Sequence, residues 1–187
     1  HWRRFNDYGI GLLRQGDLRG AIREFRRVQQ LRPDYADGWV NEARAHLQEG
    51  NLPAAEEALA HALEMEPGWF KASYFMAQVA RGCGEYERAV ELLESVLRTH
   101  PYDRMVRVDL GNVLYLMGRH DDAIPHLMFV LDNIDPEELG AHYNLMLIYR
   151  AQGEDARADI HESRYLRYKE DEEIGQLSGA YKRGRPD

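Results

Sequence analysis

Apolar residues recur along the chain in helical stretches that stop at glycine or proline. The segment DGWVNEARAHLQEG is predicted to be a helix that ends at Gly50, because glycine takes the left-handed conformation that closes a helix C-terminus. The next helix is predicted to begin near Pro53, since proline fits the first helical turn. It ends at Pro67, because proline cannot continue a helix. The chain is therefore predicted to contain a pair of helices joined by a short turn.

This helix pair recurs with a period of about 34 residues, which is the length of one helix–turn–helix repeat. Three residue types share the period: the glycines Gly16, Gly50, Gly84 and Gly118, the alanines Ala21, Ala55, Ala89 and Ala123, and the prolines Pro33, Pro67 and Pro101. The next members of the series, Gly153, Ala158 and Pro136, each come one position late, which places one extra residue between Ala123 and Pro136. The period predicts stacked helix–turn–helix units.

The periodic residues resemble those of the tetratricopeptide repeat (TPR) family over roughly residues 2–169. The family's small residue on the first helix is matched by Gly9, Ala43, Ala77 and Gly111, and its large apolar residue on the second helix by Phe25, Leu59, Leu93 and Leu127. The fifth unit departs from the pattern, with Met146 at the small position and Glu162 at the large apolar one. The resemblance implies an all-α fold, a right-handed superhelical solenoid of five TPR helix–turn–helix repeats with an irregular C-terminal tail.

The repeats are predicted to span about residues 2–35, 36–69, 70–103, 104–138 and 139–169. Residues 170–187 are predicted to form an acidic helix extension, EDEEIG, followed by an irregular tail. Within that tail, Leu177 and Tyr181 either fold back onto the last repeat, engage a neighbouring molecule or stay disordered.

The composition is that of an ordinary water-soluble protein. Of 187 residues, 44% are hydrophobic and 30% are charged. No stretch reaches the roughly 18 apolar residues that a membrane-spanning helix needs. Cys83 is the single cysteine, so no disulfide can form within the chain.

Charge is distributed unevenly along the chain. Residues 1–34 contain eight arginines and four acidic residues, a net charge of +4, whereas the remainder has a net charge of −12. This asymmetry suggests electrostatic docking of the first repeat onto an acidic partner, or onto the acidic end of another copy. The alternative is a solvated surface with no such role. Nucleic acid is not expected as a partner, because the net charge is −8 and no basic-aromatic stripe occurs.

Catalysis has little support in the sequence. It contains no nucleophile elbow, Walker A loop, dinucleotide fingerprint or CxxCH haem-attachment motif. His120 and His126 are six positions apart and are expected on opposite faces of a helix. The remaining internal histidines are scattered at dissimilar places in the repeat: His46, His61, His100, His142 and His161. We therefore expect a non-enzymatic protein with no catalytic residue, metal site or cofactor.

In the TPR family, the first helices of successive repeats line a concave groove. By resemblance, the partner-binding residues are Asn6, Ile10, Leu13, Val40, Arg44, Leu47, Tyr74, Gln78, Arg81, Val108, Asn112, Tyr115, Tyr143, Leu147 and Arg150. Tyrosine and arginine are enriched at binding hot spots, and a peptide or partner helix with acidic and apolar residues suits this set. Asn6 and Ile10 stand where a clamp for chaperone C-termini needs Lys and Asn, so that function is rejected.

A second resemblance concerns context. The segments HWRRFNDYGIGLL and HYNLMLIYRAQGEDARADIHESRYLRYKEDE look like TPR modules associated with bacterial multihaem c-type cytochromes. That resemblance implies a structural subunit or module of an extracytoplasmic electron-transfer assembly or filament, in contact with a cytochrome domain. It favours a bacterial periplasmic or extracellular location, with the cytoplasm left open. The leading hypothesis is a protein–protein interaction scaffold that binds a partner in its groove and associates head to tail through its ends.

Overall fold

The computed structural model describes the backbone of residues 1–183 and the side chains of residues 1–173. Within those residues the chain forms ten α-helices and no β-strand. The helices are α1 Trp2–Gln15, α2 Leu18–Leu31, α3 Ala36–Glu49, α4 Leu52–Met65, α5 Phe70–Gly82, α6 Tyr86–Thr99, α7 Arg104–Leu116, α8 His120–Asn133, α9 Leu139–Ala151 and α10 Asp155–Arg183. Each predicted repeat thus begins with a helix, and the predicted all-α class is confirmed.

Glycine closes the turn inside each helix pair, as the sequence predicted. All five turn glycines have positive φ angles between 72° and 81°: Gly16, Gly50, Gly84, Gly118 and Gly153. This left-handed conformation costs glycine little because it has no Cβ. The second helix then begins with a side-chain cap in two repeats, where Asp17 accepts a hydrogen bond from the Gly20 N–H and Asn51 accepts one from the Ala54 N–H.

The extra residue of the fourth repeat lies in the connection to the fifth repeat. Residues 32–35, 66–69 and 100–103 join successive repeats with four residues each, whereas residues 134–138 use five. At this longer connection the N–H groups of Ile134 and Asp135 both donate to the carbonyl of Val130. The structure therefore places the insertion at the end of α8, inside the interval that the alanine and proline series defined.

Small residues on the first helix of a repeat face large residues on the second. A Cβ atom at Gly9 would lie 2.7 Å from Cε1 of Phe25, and one at Gly111 would lie 2.5 Å from Cδ2 of Leu127. Both large side chains are fully buried. The glycines are therefore required by the close approach of the helices and not by backbone conformation.

The chain divides into two compact units, His1–Pro101 and Tyr102–Asp187. In the first unit each of α1 to α5 packs against the next helix, and α3 also contacts both α1 and α5. In the second unit α7 packs on α8, α8 on α9 and α9 on α10, and α7 contacts α9. Each unit is thus a stack of helix pairs whose first helices are neighbours. Among the described residues, no helix is long and apolar enough to cross a membrane.

The structure differs from the predicted irregular tail over most of its length. Helix α10 runs from Asp155 to Arg183, well beyond the acidic extension. Gly175 and Gly179 each cost about 1 kcal/mol in a helix, but their neighbours are mostly good helix formers and the next proline is Pro186. Residues 184–187 lie outside the described part of the chain, as do the side-chain contacts predicted for Leu177 and Tyr181.

Candidate binding surfaces

The first helices of the first unit place most of the predicted groove residues on neighbouring elements. Residues with partial exposure on α1, α3 and α5 are Ile10, Arg44, Leu47, Tyr74, Gln78 and Arg81. Because α3 contacts both α1 and α5, these residues lie on three helices that are neighbours in the fold. The three helices are fixed in place by packing, since each of them also has residues buried in the interior of the unit.

Three predicted groove residues are not accessible, and this part of the prediction is wrong. Val40 is fully buried in the core. Leu13 is 4% exposed and packs in a core cluster with Phe25. Asn6 is 8% exposed. These side chains are buried against other parts of the fold, so they are not exposed to a partner in this structure.

A polar network that the sequence did not predict holds Arg44. The Nδ2 group of Asn41 donates a hydrogen bond to Oδ1 of Asn6 over 3.2 Å, and Nη1 of Arg44 donates to Oδ1 of Asn41 over 3.2 Å. The guanidinium of Arg44 also lies 5.6 Å from the ring centroid of Phe75. These contacts limit the conformations of Arg44, which lowers the entropy lost when its remaining donors bind a partner.

The second unit has its own set of predicted groove residues on α7 and α9. They are Val108, Asn112, Tyr115, Tyr143, Leu147 and Arg150, all half-buried or exposed. Nδ2 of Asn112 donates to Oδ1 of Asn144 over 3.0 Å, so a second asparagine pair links two first helices. Arg150 forms ion pairs with Glu162 at 2.5 Å and Asp159 at 3.5 Å. Its charge is therefore partly neutralised within its own repeat.

The uneven charge of the sequence corresponds to exposed arginines on α2 and to a carboxylate-lined cleft in the second unit. On α2 the exposed arginines are Arg19, Arg23, Arg26 and Arg27. In the second unit a cleft of about 510 Å³ is lined by Arg104, Asp135, Glu137, Glu138, Leu139, Tyr168, Asp171 and Glu172. The guanidinium of Arg104 forms ion pairs with Asp135 at 2.6 Å and with Glu138 at 3.3 Å. The lining thus has five carboxylates against one guanidinium, and the cleft has a net negative charge.

Two histidines that looked unrelated in the sequence form a buried pair. His142 on α9 and His161 on α10 lie with their Nδ1 atoms 2.9 Å apart, and Nε2 of His142 lies 3.0 Å from the carbonyl oxygen of Pro136. Burial lowers the pKa of His142, and burial, with the neighbouring His142 and Arg164, lowers the pKa of His161 to about 4. No pattern in the sequence indicated this pair, because its members lie on two different helices and occupy unrelated positions in the repeat.

The other histidines that we considered as metal ligands have different neighbours. The ring of His120 stacks on Tyr115 with centroids 5.6 Å apart, and Nδ1 of His126 lies 3.5 Å from Nη1 of Arg107. Within the side chains described by the structure, no three His, Cys, Asp or Glu residues are grouped so as to hold a metal ion.

Comparison with known proteins identifies the class. Models of the tetratricopeptide repeat match residues 12–79 and 74–128. The FK506-binding protein-like protein of Mus musculus is 30% identical over 123 residues, which cover 62% of this chain and 35% of that protein. Superkiller protein 3 of Schizosaccharomyces pombe is 26% identical over 111 residues, or 59% of this chain and 8% of that protein. The chain thus spans about a third or less of the length of these curated relatives.

Solved structures show the same fold over most of the chain. A crystal structure of MamA matches with a TM-score of 0.74 and 22% identity, covering 89% of this chain and 96% of that one. MamA 41-end from Desulfovibrio magneticus RS-1 matches with a TM-score of 0.78 and 20% identity, covering 91% and 96%. The chain is therefore a tetratricopeptide-repeat protein, with a fold typical of protein–protein interaction scaffolds. The predicted association with multihaem cytochromes is not supported by these relatives.

Proposed function

We propose that this chain is a non-enzymatic scaffold that binds an extended or helical segment of a partner protein along its first helices. The observation that carries the proposal is that the guanidinium of Arg44 on α3 is held in place by its contacts with Asn41 and Phe75. Helix α3 packs against α5, and α5 carries the half-buried Tyr74 and Arg81. Arginine and tyrosine contribute strongly to binding because they combine large contact area with directional hydrogen bonds. Two arginines on neighbouring helices favour a segment with acidic and apolar residues.

A displayed peptide library selected on the purified chain tests this proposal. We expect the selected peptides to combine acidic and apolar residues. Replacing Arg44, Tyr74 and Arg81 together with Ala should weaken binding of those peptides by about tenfold or more, while far-UV circular dichroism stays unchanged. Replacing Tyr86 and Arg98 on α6 with Ala serves as the control and should leave binding intact. Normal peptide binding by the triple variant would show that the groove assignment is wrong.

We also propose that copies of the chain associate head to tail. The supporting observation is the charge pattern, with exposed arginines on α2 and a carboxylate-lined cleft in the second unit. A contact between unlike surfaces is heterologous, so it produces rings or open filaments instead of two-fold dimers. Each copy in such an array would present its groove residues to partners, which is what an assembling scaffold requires.

Light scattering at several salt concentrations tests this association. Oligomers should shrink as ionic strength rises, since the Debye length falls from about 10 Å at 0.1 M to about 3 Å at 1 M. Replacing Arg19 and Arg23 with Glu should abolish association, as should replacing Glu137 and Asp171 with Lys. Mixing the two variants should restore association, because the first variant keeps the acidic cleft, the second keeps the α2 arginines, and the reversed charges are also complementary. A wild-type chain that stays monomeric at low salt and high protein concentration would contradict the proposal.

A further inference from the structure

A second cleft lies in the first unit, between α2, α3 and α4, with a volume of about 460 Å³. Its lining residues are Arg26, Gln29, Gln30, Trp39, Glu42, His46, Ala54, Glu57 and Ala58. Because α3 packs against both α2 and α4, its residues Trp39, Glu42 and His46 form the base of the cleft. None of the lining residues belongs to the predicted groove, so this surface is separate from the proposed partner site.

Two residues at the base break the apolar pattern of the repeat. At the position of Glu42 the other repeats have Tyr8, Met76, Leu110 and Leu145, and at the position of His46 they have Leu12, Ala80, Leu114 and Tyr149. Glu42 and His46 are each 5% exposed. Burying a carboxylate and an imidazole where the third, fourth and fifth repeats bury apolar side chains sacrifices stability. Such a local departure from the folding pattern is typical of a functional site.

The polar groups at the base retain hydrogen-bonding capacity. Glu42 accepts hydrogen bonds from Nε of Arg26 at 2.7 Å and from Nε2 of Gln29 at 2.5 Å, and a carboxylate can accept about four. Among the described residues, neither ring nitrogen of His46 has a hydrogen-bond partner, and neither does Nε1 of Trp39. The ring of His46 lies 3.5 Å from Glu42 and 3.4 Å from Glu49, but the contacts are too poorly aligned to be hydrogen bonds. The base therefore contains buried polar atoms, the His46 ring nitrogens and the Trp39 indole N–H, that lack partners among the described residues.

The next repeat shows which group suits this position. Arg88 is the equivalent of Ala54 one period later, and Met76 is the equivalent of Glu42. The Nη2 atom of Arg88 is 3.6 Å from the sulfur of Met76 and donates to Glu56 over 2.8 Å. The third repeat thus places its own guanidinium over the residue equivalent to Glu42. In the second repeat the side chain at this place is the methyl group of Ala54, which leaves the cleft open.

We propose that this cleft binds the guanidinium group of an arginine side chain from a partner protein. Arg26 forms an ion pair with Glu42, so Glu57 leaves the lining with one excess negative charge, which favours a cation. The planar guanidinium offers five N–H donors for the carboxylate and for an imidazole lone pair of His46. The indole N–H of Trp39 is complementary to a main-chain carbonyl of the same partner. A peptide with an arginine supplies both the guanidinium and the main-chain carbonyl, whereas a simple cation has no carbonyl to accept a hydrogen bond from Trp39.

Nuclear magnetic resonance with small probes tests the proposal on the whole chain. The probe is N-acetyl-arginine N-methylamide, which has a guanidinium and two main-chain carbonyls. We expect saturable shifts of the Trp39 indole N–H resonance, assigned with a Trp39→Phe variant. The lysine analogue should bind several-fold more weakly, because ammonium lacks the planar fork. The citrulline analogue, which has the shape without the charge, should produce no saturable shift.

Three variants locate the binding. Ala54→Arg gives the second repeat the side chain that the third repeat has, and it should abolish the shifts by filling the cleft. Ala60→Arg places the same side chain at an exposed position of the same helix, and it should leave binding unchanged. Glu42→Gln removes the charge with little change in shape and should weaken binding about tenfold or more. Melting temperatures of all three variants check that the fold is retained.

Three results would overturn the proposal. The first is the absence of saturable shifts with the arginine probe in the folded wild-type chain. The second is equal binding of the citrulline or lysine analogue, which would remove the guanidinium from the recognition. The third is undiminished binding by folded Ala54→Arg, which would place the probe elsewhere. None of these results bears on the groove test, because the two sets of substitutions do not overlap.

Discussion

The Nδ1 atoms of His142 and His161 lie 2.9 Å apart in the interior of the last repeat. The Pro136 carbonyl oxygen can only accept, so Nε2 of His142 holds the proton in the 3.0 Å contact between them. In a neutral His142 the Nδ1 atom is then an acceptor, and Nδ1 of His161 is the donor. This assignment defines the tautomers of both rings in their neutral forms, which the lowered pKa values of His142 and His161 favour.

The pair predicts a loss of stability in mild acid. The pKa of His161 is about 4 in the folded chain against 6.5 for an unperturbed histidine, so below about pH 6.5 the unfolded state binds the proton and the folded state does not. Stability is therefore complete above this range and falls as the pH approaches 4. The loss attributable to His161 is on the order of 2–3 kcal/mol. Urea unfolding followed by circular dichroism at several pH values measures it.

A matched pair of variants separates this effect from general acid destabilisation. His161→Phe keeps an aromatic ring beside Tyr149 and should reduce the dependence of stability on pH between about 6.5 and 4. His61→Gln removes an exposed histidine of the first unit and should leave that dependence unchanged. The groups acting on the pair are Arg164, which opposes protonation, and Glu138 and Asp135, which favour it at His142. A His161 resonance titrating at the ordinary histidine pKa would refute the assignment.

Gly9 and Gly11 predict opposite effects of one substitution on the same helix. At Gly9 a Cβ would lie 2.7 Å from the buried ring of Phe25, so Gly9→Ala should lower the melting temperature. At Gly11 no atom lies within 4 Å of a built Cβ, and the residue is inside α1. Gly11→Ala should stabilise the chain by about 0.5–1 kcal/mol, since alanine is the better helix former. Equal effects of the two substitutions in thermal unfolding would contradict the helix packing.

Overpacking a helix pair at Ala89 is expected to destabilise the chain. This residue of α6 is fully buried, so Ala89→Phe should cost roughly 1–3 kcal/mol as the helices α5 and α6 are forced apart. Ala60→Phe at an exposed position of α4 is the control and should stay within about 0.5 kcal/mol of wild type. Differential scanning calorimetry compares the two, and an unchanged melting temperature for Ala89→Phe would count against the assigned packing.

Much of the fold could be predicted from the sequence because its determinants are local. A turn glycine such as Gly50 needs a positive φ angle whatever surrounds it, and a proline such as Pro67 stops a helix through its own ring. These residues recur at a constant spacing, so the bounds of the helices follow from the chain itself. The end of α10 was predicted too early, because two glycines weaken a helix without breaking it, and neighbouring residues decide the outcome.

The binding sites could be predicted less well than the fold, because they depend on how the helices are rotated against one another. Family resemblance placed Val40 and Leu13 in the groove, but a small rotation of a helix about its axis is enough to turn such side chains into the core. The cleft at Glu42 and His46 did leave a trace, since both residues are polar where other repeats are apolar. Comparing repeats position by position would have detected it.

The sequence by itself determined the helix pairs, their period and the place of the inserted residue, since those depend on backbone conformations that single residues impose. The tertiary structure alone decided which side chains meet. His142 and His161 come together because α9 packs on α10, and Arg44 is held because α1 and α3 pack side by side. Hydrogen bonds between helices depend on small axial shifts and rotations. Those displacements are set by the whole packed interior and not by any one stretch of sequence.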